Sequence, residues 1–487
     1  MQSAMDDKNR INYQWRIVFG VLLVFLGIFY YCPDDKTKEH PNQPFLAEPS
    51  PEWKACFGSS KCRRFSAIEL GVHIRGDWHL DVVVAGPSSN SSLSNLLFVD
   101  PGGPGSDGVL VATQLIAQMG SSLSDSLSIV GWKWSSPRFD SLVSHCQDAI
   151  DSHFRSLLST NNHSTTWECF GSTLEFPSMI QRAVALDALR EILGKRSIIY
   201  LAYSYGSTTV FSHLAINLSA VDAIVLDAPI DPFATPEVRF RDQIDGFDDA
   251  WTLFLDACRV QVSCPIDGDQ DFSIDNIFEP RSKFERTITG LGSGDIGQSA
   301  LALAIISQLY SGETSYPRVS QLLLDAYQND FGSVANDFWK FVGRLASGVY
   351  NGRIVLMWGL QCADQGSTEV ATRAFPERSA IARTVANFLP DCLPQMVVED
   401  GSAIAELEQS LKAFDKLPSL LIAGSRQDPV ISISQWKGLL TRFNFDQSDL
   451  ILVDGSHHTS YPGRSARLDA NVERFLLDAS DSMTDTD

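Results

Sequence analysis

The chain has 487 residues, of which 44% are hydrophobic, and its formal net charge is −21 at pH 7. An acidic balance of this size argues against nucleic acid as a partner, because phosphate binding needs a basic face. The chain is longer than one compact core usually requires, so it predicts a large globular protein whose core carries an inserted unit.

The N-terminal segment contains an uninterrupted apolar run from Ile17 to Tyr31, preceded by three basic residues. The run is short for a membrane span and long for the hydrophobic region of a signal peptide, and no small residues follow that would form a cleavage site. Its basic flank predicts a cytoplasmic N-terminus. We therefore predict a cytoplasmic stub over residues 1–14, a single-pass signal anchor over 15–32 and a linker over 33–50. A protein secreted after signal cleavage is the alternative.

The first part of the core carries both strand and helix patterns. Residues Ala67 to Ile74 and His79 to Ala85 alternate between apolar and polar side chains, which predicts an antiparallel hairpin. Phe176 to Leu193 has apolar residues near helical spacing, and an apolar run from Ser197 to Leu201 follows it as a predicted strand. This mixture of elements predicts an α/β protein.

A glycine-rich loop follows a predicted buried strand at Leu96 to Asp100. The loop reads Pro101-Gly102-Gly103-Pro104-Gly105. Only a loop that nearly lacks side chains brings a backbone N–H close to the carbonyl oxygen of a substrate. We therefore predict that the Gly103 amide is one donor of an oxyanion hole.

The segment Ala202-Tyr203-Ser204-Tyr205-Gly206 lies between an apolar strand and a predicted helix. Its small-x-Ser-x-Gly pattern is typical of a nucleophile elbow, a turn so sharp that the serine hydroxyl is exposed at its tip. The residues two positions before and after the serine must be small, because strand and helix nearly touch there. The pattern predicts Ser204 as a nucleophile and the N–H of Tyr205 as the second oxyanion donor.

Hydrolases with such an elbow carry an acid and then a histidine later in the chain. Asp428 and His458 each follow an apolar run that reads as a strand, and a helix predicted at 433–443 lies between them. Because the carboxyl ends of parallel strands share one edge of a sheet, we expect both side chains to meet Ser204 there. A helix cap at Asp428 and a solvated loop at the histidine are the structural alternatives.

Two adjacent histidines compete for the role of general base. Loops of this kind usually hold a small residue directly before the catalytic histidine. The segment Gly455-Ser456-His457-His458 aligns best with a Gly-x-Gly-His pattern, in which His457 takes the place of a glycine. We therefore assign the base to His458.

Together with Val225 to Pro232 and Gln361 to Asp364, these motifs resemble those of the tripeptidyl aminopeptidase-like α/β-hydrolases, which are related to the prolyl aminopeptidases. The resemblance covers roughly residues 50 to 478. It implies a mostly parallel central sheet with helices on both faces and a large helical cap. It also implies a serine hydrolase that removes residues from the free N-terminus of peptides, with the triad and oxyanion hole assigned above.

One segment departs from the family pattern. Members usually carry Asp-x-Arg-Gly-x-Gly after the fourth strand, whereas here Ser128 to Trp132 leads to Lys133-Trp134-Ser135-Ser136-Pro137-Arg138. We expect a loop beside the site entrance at this position. Its first residue is Lys133 where the family has an aspartate, so the charge there is reversed. An esterase or amidase that acts on a non-peptide small molecule is therefore the alternative function. A catalytically inactive binding protein of the same fold is a minor alternative.

The regular alternation of strands and helices stops after Asp231, and helical runs such as Ala300 to Leu309 and Val319 to Tyr327 follow. We therefore predict a hydrolase core over residues 51–230 and 417–478. A helical cap is predicted over residues 231–416 and an acidic disordered tail over 479–487.

An exopeptidase would also need a carboxylate in the cap to hold the ammonium group of its substrate. Glu237, Asp242 and Asp364 are the candidates for this role. A position on the surface is the alternative for each of them.

Nine cysteines are compatible with an oxidising compartment. Leaving out Cys32, the other eight could pair as sequence neighbours, namely 56–62, 146–169, 258–264 and 362–392, among 105 possible arrangements. Buried free thiols are the alternative. Sequons at Asn90, Asn162 and Asn217 predict glycosylation if this compartment is correct.

The sequence gives no indication of a cofactor. It contains neither Cys-x-x-Cys nor His-Glu-x-x-His spacing, and its glycine-rich segment at 290–294 lacks the Lys-Ser/Thr of a P-loop. We therefore expect no metal and no other cofactor. The expected partners are a peptide or small acyl substrate and, through the anchor, a membrane; the sequence does not determine the oligomeric state.

Overall fold

Nine strands form one sheet in the part of the chain that the computed structural model describes, namely residues 52–86, 95–156, 166–170, 174–260, 298–328, 330–365, 401–413, 417–443 and 450–484, with single positions from 381 to 392. The strands are β1 (Lys54–Cys56), β2 (Ser60–Ser66), β3 (His79–Ala85), β4 (Asn95–Asp100), β5 (Leu127–Ser135), β6 (Ile198–Tyr203), β7 (Val221–Asp227), β8 (Ser419–Ser425) and β9 (Leu450–Val453). Their order is β1-β2-β3-β5-β4-β6-β7-β8-β9.

The sheet is parallel over most of its width. The strands from β5 through β4 and β6 to β9 pair in parallel, whereas β1, β2 and β3 join them as antiparallel neighbours at one edge. The predicted α/β fold with a mostly parallel sheet is therefore confirmed. Parallel strands need crossover connections, which the helices between them provide.

Helices follow or separate these strands in the described residues. Before β8 they are α1 (Gly108–Leu115), α2 (Ser121–Ser126), α3 (Pro137–His145), α4 (Gln147–Ser156), α5 (Thr166–Phe170), α6 (Met179–Ile192), α7 (Gly206–Ile216), α8 (Pro236–Arg259), α9 (Gln298–Leu309), α10 (Tyr316–Tyr327), α11 (Gly332–Phe341), α12 (Arg353–Gln365) and α13 (Gly401–Lys412). After β8 they are α14 (Ile433–Arg442) and α15 (Ala466–Thr484).

Apolar side chains cover both faces of the sheet. In β4, Leu96 and Phe98 lie in the cluster on one face, and Leu97 and Val99 lie in the cluster on the other. A strand of a parallel sheet is buried on both sides, which explains why β4 reads as a continuous apolar run rather than an alternating one. Six of the helices, α8 to α13, lie between β7 and β8 in the chain, and α9 and α10 confirm two of the predicted helical runs.

Local sequence signals account for helix α6, which precedes strand β6. Helix α6 begins after Ser178, whose hydroxyl accepts a hydrogen bond from the Gln181 N–H, while the Gln181 side chain accepts one from the Ser178 N–H. This reciprocal capping satisfies two donors that the first turn of a helix leaves unpaired. The predicted helix at 176–193 is thus confirmed, with its first residues in the cap.

The predicted hairpin is wrong in its first strand. β3 keeps its predicted bounds, but its antiparallel partner is β2, which ends at Ser66. A 3₁₀-helix at Ile68–Leu70 follows, and Gly71 ends it with φ +76°. The alternation in this region reflects the burial of Leu70 and Val72 in a turn between the strands rather than the pleat of a strand.

The predicted disordered tail at 479–487 is wrong over its first residues, because α15 extends to Thr484. Ser480 and Met483 are 3% and 8% exposed, so this end of the helix packs against the core. The Asn95 amide nitrogen also donates a hydrogen bond to the Ser480 carbonyl at 2.7 Å. Burial on one face stabilises a helix that its Ser, Asp and Thr content alone would not favour.

Disulfides form as the neighbour pairing predicts where both cysteines are described: Cys56–Cys62, Cys146–Cys169 and Cys362–Cys392. Cys258 is also disulfide-bonded, and its predicted partner, Cys264, lies outside the described residues. Disulfides of this kind are typical of an oxidising compartment.

The predicted anchor at 15–32 lies outside the described residues. Among the helices within them, none is both long and apolar enough to cross a membrane. The sequons at Asn90 and Asn162 also lie outside them. Asn217 is described, and its amide nitrogen, the atom that a glycan would modify, donates to both carboxylate oxygens of Asp187 at 3.3 and 3.2 Å. Glycosylation at Asn217 stays a prediction.

Candidate active site

The turn after β6 has the backbone of a nucleophile elbow. Ser204 has φ +52°, a left-handed conformation that a serine rarely adopts without a functional or structural reason. The Ser204 N–H donates to the Asp227 carbonyl at 2.9 Å, which holds the turn against the end of β7. Gly206 must lack a side chain, because a Cβ there would lie 2.8 Å from the Asp100 carbonyl oxygen.

The glycine-rich loop after β4 lies against this elbow. Gly102 has φ +78°, and a Cβ at this position would overlap the Tyr203 carbonyl and lie 3.0 Å from the Tyr205 nitrogen. Only glycine therefore allows the loop to approach the elbow this closely. Gly103 and Tyr205, the two predicted oxyanion donors, line the same cavity as Ser204.

The predicted acid and base are in contact. His458 Nδ1 lies 3.0 and 2.9 Å from the two carboxylate oxygens of Asp428, and both residues are buried. Asp428 Oδ1 also accepts hydrogen bonds from the N–H groups of Val430 and Ile431 at 2.8 and 3.0 Å. The carboxylate is thus fixed by its own loop, and it is not the cap of α14, which begins after Ser432.

An Nδ1–H that donates to a carboxylate leaves Nε2 as the proton acceptor of the ring. His458 lines the cavity together with Ser204. The Tyr310 ring packs edge-on against the imidazole at 5.7 Å between centroids, and the His458 N–H donates to the Tyr310 carbonyl at 2.9 Å. Tyr310, which directly follows α9, thus holds this histidine in position.

His457 has a different environment from its neighbour. Its side chain is 4% exposed, and Nε2 lies 3.2 Å from the Ser460 hydroxyl rather than near Asp428. Burial, with a further contribution from the positive charge of Arg464, lowers the pKa of His457 to about 3. The structure therefore brings His458, and not His457, to the predicted acid.

A buried carboxylate connects the histidine loop to the elbow. Asp227 Oδ2 accepts hydrogen bonds from the N–H groups of Ser460 and Tyr461 at 2.7 and 2.6 Å, while its carbonyl accepts the Ser204 N–H. Burial raises the pKa of Asp227 to about 7, although the two backbone hydrogen bonds lower it. Asp227 thus positions both loops without lining the cavity.

Asp227 is expected to make the stability of the protein depend on pH. Because its folded pKa of about 7 lies above its ordinary value of 3.8, the folded state binds this proton more tightly than the unfolded state. The contribution is present below pH 4 and decreases by about 1.4 kcal/mol per pH unit until it is lost near pH 7. We expect Asp227→Asn to gain stability relative to the wild type as the pH rises from 5 to 7, because the variant carries no carboxyl group to deprotonate. Urea titrations at several pH values measure this difference; one that is independent of pH would contradict the assignment.

A cavity of about 180 Å³ is lined by the elbow, the glycine-rich loop and residues of α8, α9, α11 and α12. Most of its lining is apolar. The apolar side chains that line it are Ile230, Phe240, Phe247, Leu303, Ile306, Phe341, Ile354, Met357, Val385, Phe388, Val430 and Ile431. Its charged lining residues, among those described, are the arginines Arg239 and Arg353.

The three carboxylates predicted to bind a substrate ammonium do not line this cavity. Glu237 lies in the first turn of α8, where a negative charge stabilises the helix. Asp242 accepts hydrogen bonds from the hydroxyls of Ser432 and Ser434 at 3.1 and 3.2 Å. The described lining of the cavity does not support the substrate-binding prediction for these three residues, which stays a prediction.

Asp364 is buried behind the elbow at 1% exposure. Its carboxylate forms an ion pair with Arg182 at 2.8 Å and accepts hydrogen bonds from the Tyr205 hydroxyl at 2.9 Å and the Met179 N–H at 2.6 Å. Asp364 belongs to α12 and Arg182 to α6, so the pair joins the helix that contributes to the cavity to the helix before the elbow strand. These contacts hold the Tyr205 side chain and the two helices together.

The segment around Lys133, which is expected to form a loop, is part of a strand in the structure. Lys133, Trp134 and Ser135 continue β5, where they pair with β3. The ammonium group lies 3.2 Å from Asp107, and although burial opposes its charge, this carboxylate raises the pKa of Lys133. The expectation of a loop at the site entrance is therefore wrong, because the antiparallel pairing with β3 extends the strand to Ser135.

The sequence reasoning missed the two cavity arginines. Arg239 is on the same side of α8 as Gln243 and Phe247, since residues four positions apart share a helix face. The sequence signal that could have identified Arg239 is a positively charged residue on the apolar face of an amphipathic helix. Arg353 is the first residue of α12 and carried no such signal.

The comparisons with known proteins agree with this geometry. A family model described as alpha/beta hydrolase fold matches residues 161–272, which include Ser204. The serine protease Hip1 of Mycobacterium bovis and Mycobacterium tuberculosis is 23% identical over 294 residues, which are 55% of this chain and 55% of the relative. The chain thus spans about half the length of the curated relatives it matches. With the strand order and the elbow, the family match shows that the chain has the α/β-hydrolase fold.

Solved structures of two enzymes are also similar to the chain. The proline iminopeptidase of Mycobacterium smegmatis is 12% identical with a TM-score of 0.36, over 85% of this chain and 98% of that one. The meta-cleavage product hydrolase of Pseudomonas fluorescens IP01 is 12% identical with a TM-score of 0.36, over 85% of this chain and 99% of that one.

Proposed function

We propose that the protein is a serine hydrolase in which Ser204, His458 and Asp428 form the catalytic triad. The observation that carries this proposal is the contact of His458 Nδ1 with the Asp428 carboxylate in a cavity that Ser204 also lines. The left-handed backbone of Ser204 supports it, because such strain concentrates at functional residues.

In the proposed reaction, His458 Nε2 accepts the proton of the Ser204 hydroxyl as the serine oxygen attacks a substrate carbonyl. The N–H groups of Gly103 and Tyr205 stabilise the oxyanion of the tetrahedral intermediate, and loss of one such donor costs about 3 kcal/mol of transition-state stabilisation. His458 then protonates the leaving amine or alcohol. Water hydrolyses the acyl-enzyme with the same histidine as the base, and Asp428 stabilises the imidazolium in both steps.

Peptides are the first substrate class that we propose, with cleavage near a free N-terminus. Support comes from the motif resemblance and from the similarity to a serine protease at 23% identity. The whole activity of that relative does not transfer, because the match covers 55% of its length. A carboxylate that would bind the ammonium group is not among the described cavity residues.

The second candidate is an esterase or amidase that acts on a non-peptide acyl compound. The observation in its favour is the cavity lining, which combines apolar side chains with Arg239 and Arg353. Such a lining suits an acyl group without a positive charge. The two candidates share the acyl-enzyme and differ in the group that occupies the cavity.

Labelling with a fluorophosphonate probe tests the common part of the proposal. We expect the native protein to be labelled and Ser204→Ala to be unlabelled, because the probe reacts with an activated serine. Ser106→Ala is a matched control, since Ser106 lines the same cavity outside the elbow and should leave labelling intact. An unlabelled native protein, or equal labelling of Ser204→Ala, would contradict the serine-hydrolase proposal.

A substrate panel separates the two candidates. It contains aminoacyl and tripeptidyl amides, N-blocked versions of each, and simple esters. Cleavage that requires a free N-terminus supports the aminopeptidase, whereas turnover of esters without any turnover of amides supports the second candidate.

For the location, we propose an anchored enzyme whose catalytic part lies outside the cytosol. The disulfides support an oxidising compartment, and the apolar run at 17–31 is the proposed anchor. Resistance of the membrane-bound protein to carbonate extraction tests the anchor. A soluble form that begins near residue 33 would support signal cleavage instead.

A further inference from the structure

The loop that carries His458, residues 455–461, has two supports. One is the sheet, where Asp227 at the end of β7 accepts two backbone N–H groups of the loop. The other is the segment 310–316, which connects α9 to α10 and contains a short 3₁₀-helix at Gly312–Ser315. The contacts of this segment fall on the part of the loop that leads to the histidine.

Three hydrogen bonds join the segment to the loop. The His458 N–H donates to the Tyr310 carbonyl at 2.9 Å, and the Ser456 N–H donates to Glu313 Oε1 at 3.0 Å. The hydroxyls of Ser456 and Tyr316 lie 3.2 Å apart. Ser456 is 1% exposed and Tyr316 is 6% exposed, so the contact between these hydroxyls is buried.

The backbones of the segment and the loop are in direct contact. Gly312 has φ +63°, and a Cβ there would lie 2.9 Å from the Ser456 carbonyl carbon and 3.0 Å from the His457 nitrogen. Only glycine therefore allows this approach, which brings the next residue, Glu313, beside the loop.

Glu313 and Tyr316 are not among the described residues that line the cavity. Any effect of these side chains on the reaction therefore acts through the loop. Their common partner, Ser456, lies two residues before His458. A general base must stay within hydrogen-bond reach of the nucleophile, and small displacements from this position are costly.

We propose that Glu313 and Tyr316 are positioning residues that hold the loop 455–461 so that His458 can accept the proton of Ser204. This inference rests on the proposed function, since it takes His458 as the base. Glu313 supplies a charged acceptor for a backbone N–H of the loop, which makes a stronger hydrogen bond than a neutral acceptor. Tyr316 holds the adjacent side chain.

A different role for Glu313 would be to balance the charge of Arg464. Burial lowers the pKa of Arg464 to about 10, and the charge of Glu313 acts in the opposite direction. Glu313→Gln separates the two roles, because its amide oxygen can still accept the Ser456 N–H although the charge is lost. Glu313 is itself exposed, so neither this variant nor Glu313→Ala creates a cavity in the core.

The test is the inactivation of each variant by a fluorophosphonate probe, which requires no known substrate. It measures kinact, the limiting rate constant of inactivation, and KI, the probe concentration that gives half of this rate constant. We expect Glu313→Ala to lower kinact about 10-fold and Tyr316→Phe about 3-fold, both with unchanged KI. Glu313→Gln should retain most of the wild-type kinact. Partial unfolding lowers the amount of labelled protein but not the rate constant, so a purely structural role would leave kinact unchanged.

Glu406→Ala is the matched control, because Glu406 is exposed on α13 and its truncation changes the net charge equally. It should leave kinact and KI unchanged. A wild-type kinact in Glu313→Ala overturns the proposal, as does a Glu313→Gln that is as slow as Glu313→Ala. If Glu313→Ala does not fold, a wild-type kinact in Tyr316→Phe overturns it.

The same measurements separate this inference from the proposed function. A wild type that is labelled at Ser204, with variants of equal kinact, contradicts the role of Glu313 and Tyr316 alone. A wild type that is not labelled contradicts the serine-hydrolase proposal itself.

Discussion

His458→Ala is expected to lower kcat by about four to six orders of magnitude, since a triad without its base retains only oxyanion stabilisation and binding. His457→Ala should lower kcat far less, because the His457 ring contacts Ser460 rather than the acid Asp428. Pre-steady-state and steady-state rates with one good substrate from the panel measure both variants against the wild type.

The histidine pair provides its own control, because both side chains are buried and adjacent. Truncation of either one leaves a cavity of similar size, so a general loss of folding would affect both variants alike. The reverse ranking, with the larger loss in His457→Ala, would show that the base is His457 and that the alignment of this loop is displaced by one residue.

Asp364→Ala is expected to lower the free energy of unfolding by about 3–5 kcal/mol, because it leaves the buried Arg182 charge unpaired. Denaturant titration measures this loss. Asp242→Ala, which truncates another carboxylate predicted to bind substrate, should change stability by less than about 1 kcal/mol, since it removes hydrogen bonds from two serine hydroxyls.

The alternative role of Asp364 as an ammonium ligand makes a different prediction. It requires unchanged stability and a raised KM that is confined to substrates with a free N-terminus. This result would contradict the structural role that the contacts with Arg182 and Tyr205 indicate.

The parts of the site that follow strand ends were predictable from the sequence. Ser204, Asp428 and His458 each follow an apolar strand at its carboxyl end, and parallel pairing brings such ends to one edge of the sheet. The glycines were equally informative, because close backbone approach leaves room for no other residue. Periodicity alone failed at residues 67–74, where a buried turn mimics the alternation of a strand.

The roles of residues on the helices between β7 and β8 were not predictable in the same way. Arg239 and Asp364 are both charged residues on helices, and composition does not reveal that one lines a cavity and the other pairs with Arg182. This difference depends on which helix faces which, and so on long-range packing that local patterns do not specify. The extension of β5 through Lys133 likewise depends on its pairing with β3.

The contact of Asp364 with Arg182 and Tyr205 limits how the substrate range of this protein can be altered. A chimaera that exchanges α12 would leave Arg182 without its counter-ion and the Tyr205 hydroxyl without its acceptor, next to the backbone that carries the nucleophile. Helix α12, which contributes to the cavity, therefore cannot be exchanged without affecting the packing around the nucleophile. Redesign is better directed to single positions on the cavity face of α8, such as Phe240 and Gln243, which line the cavity without belonging to that buried contact.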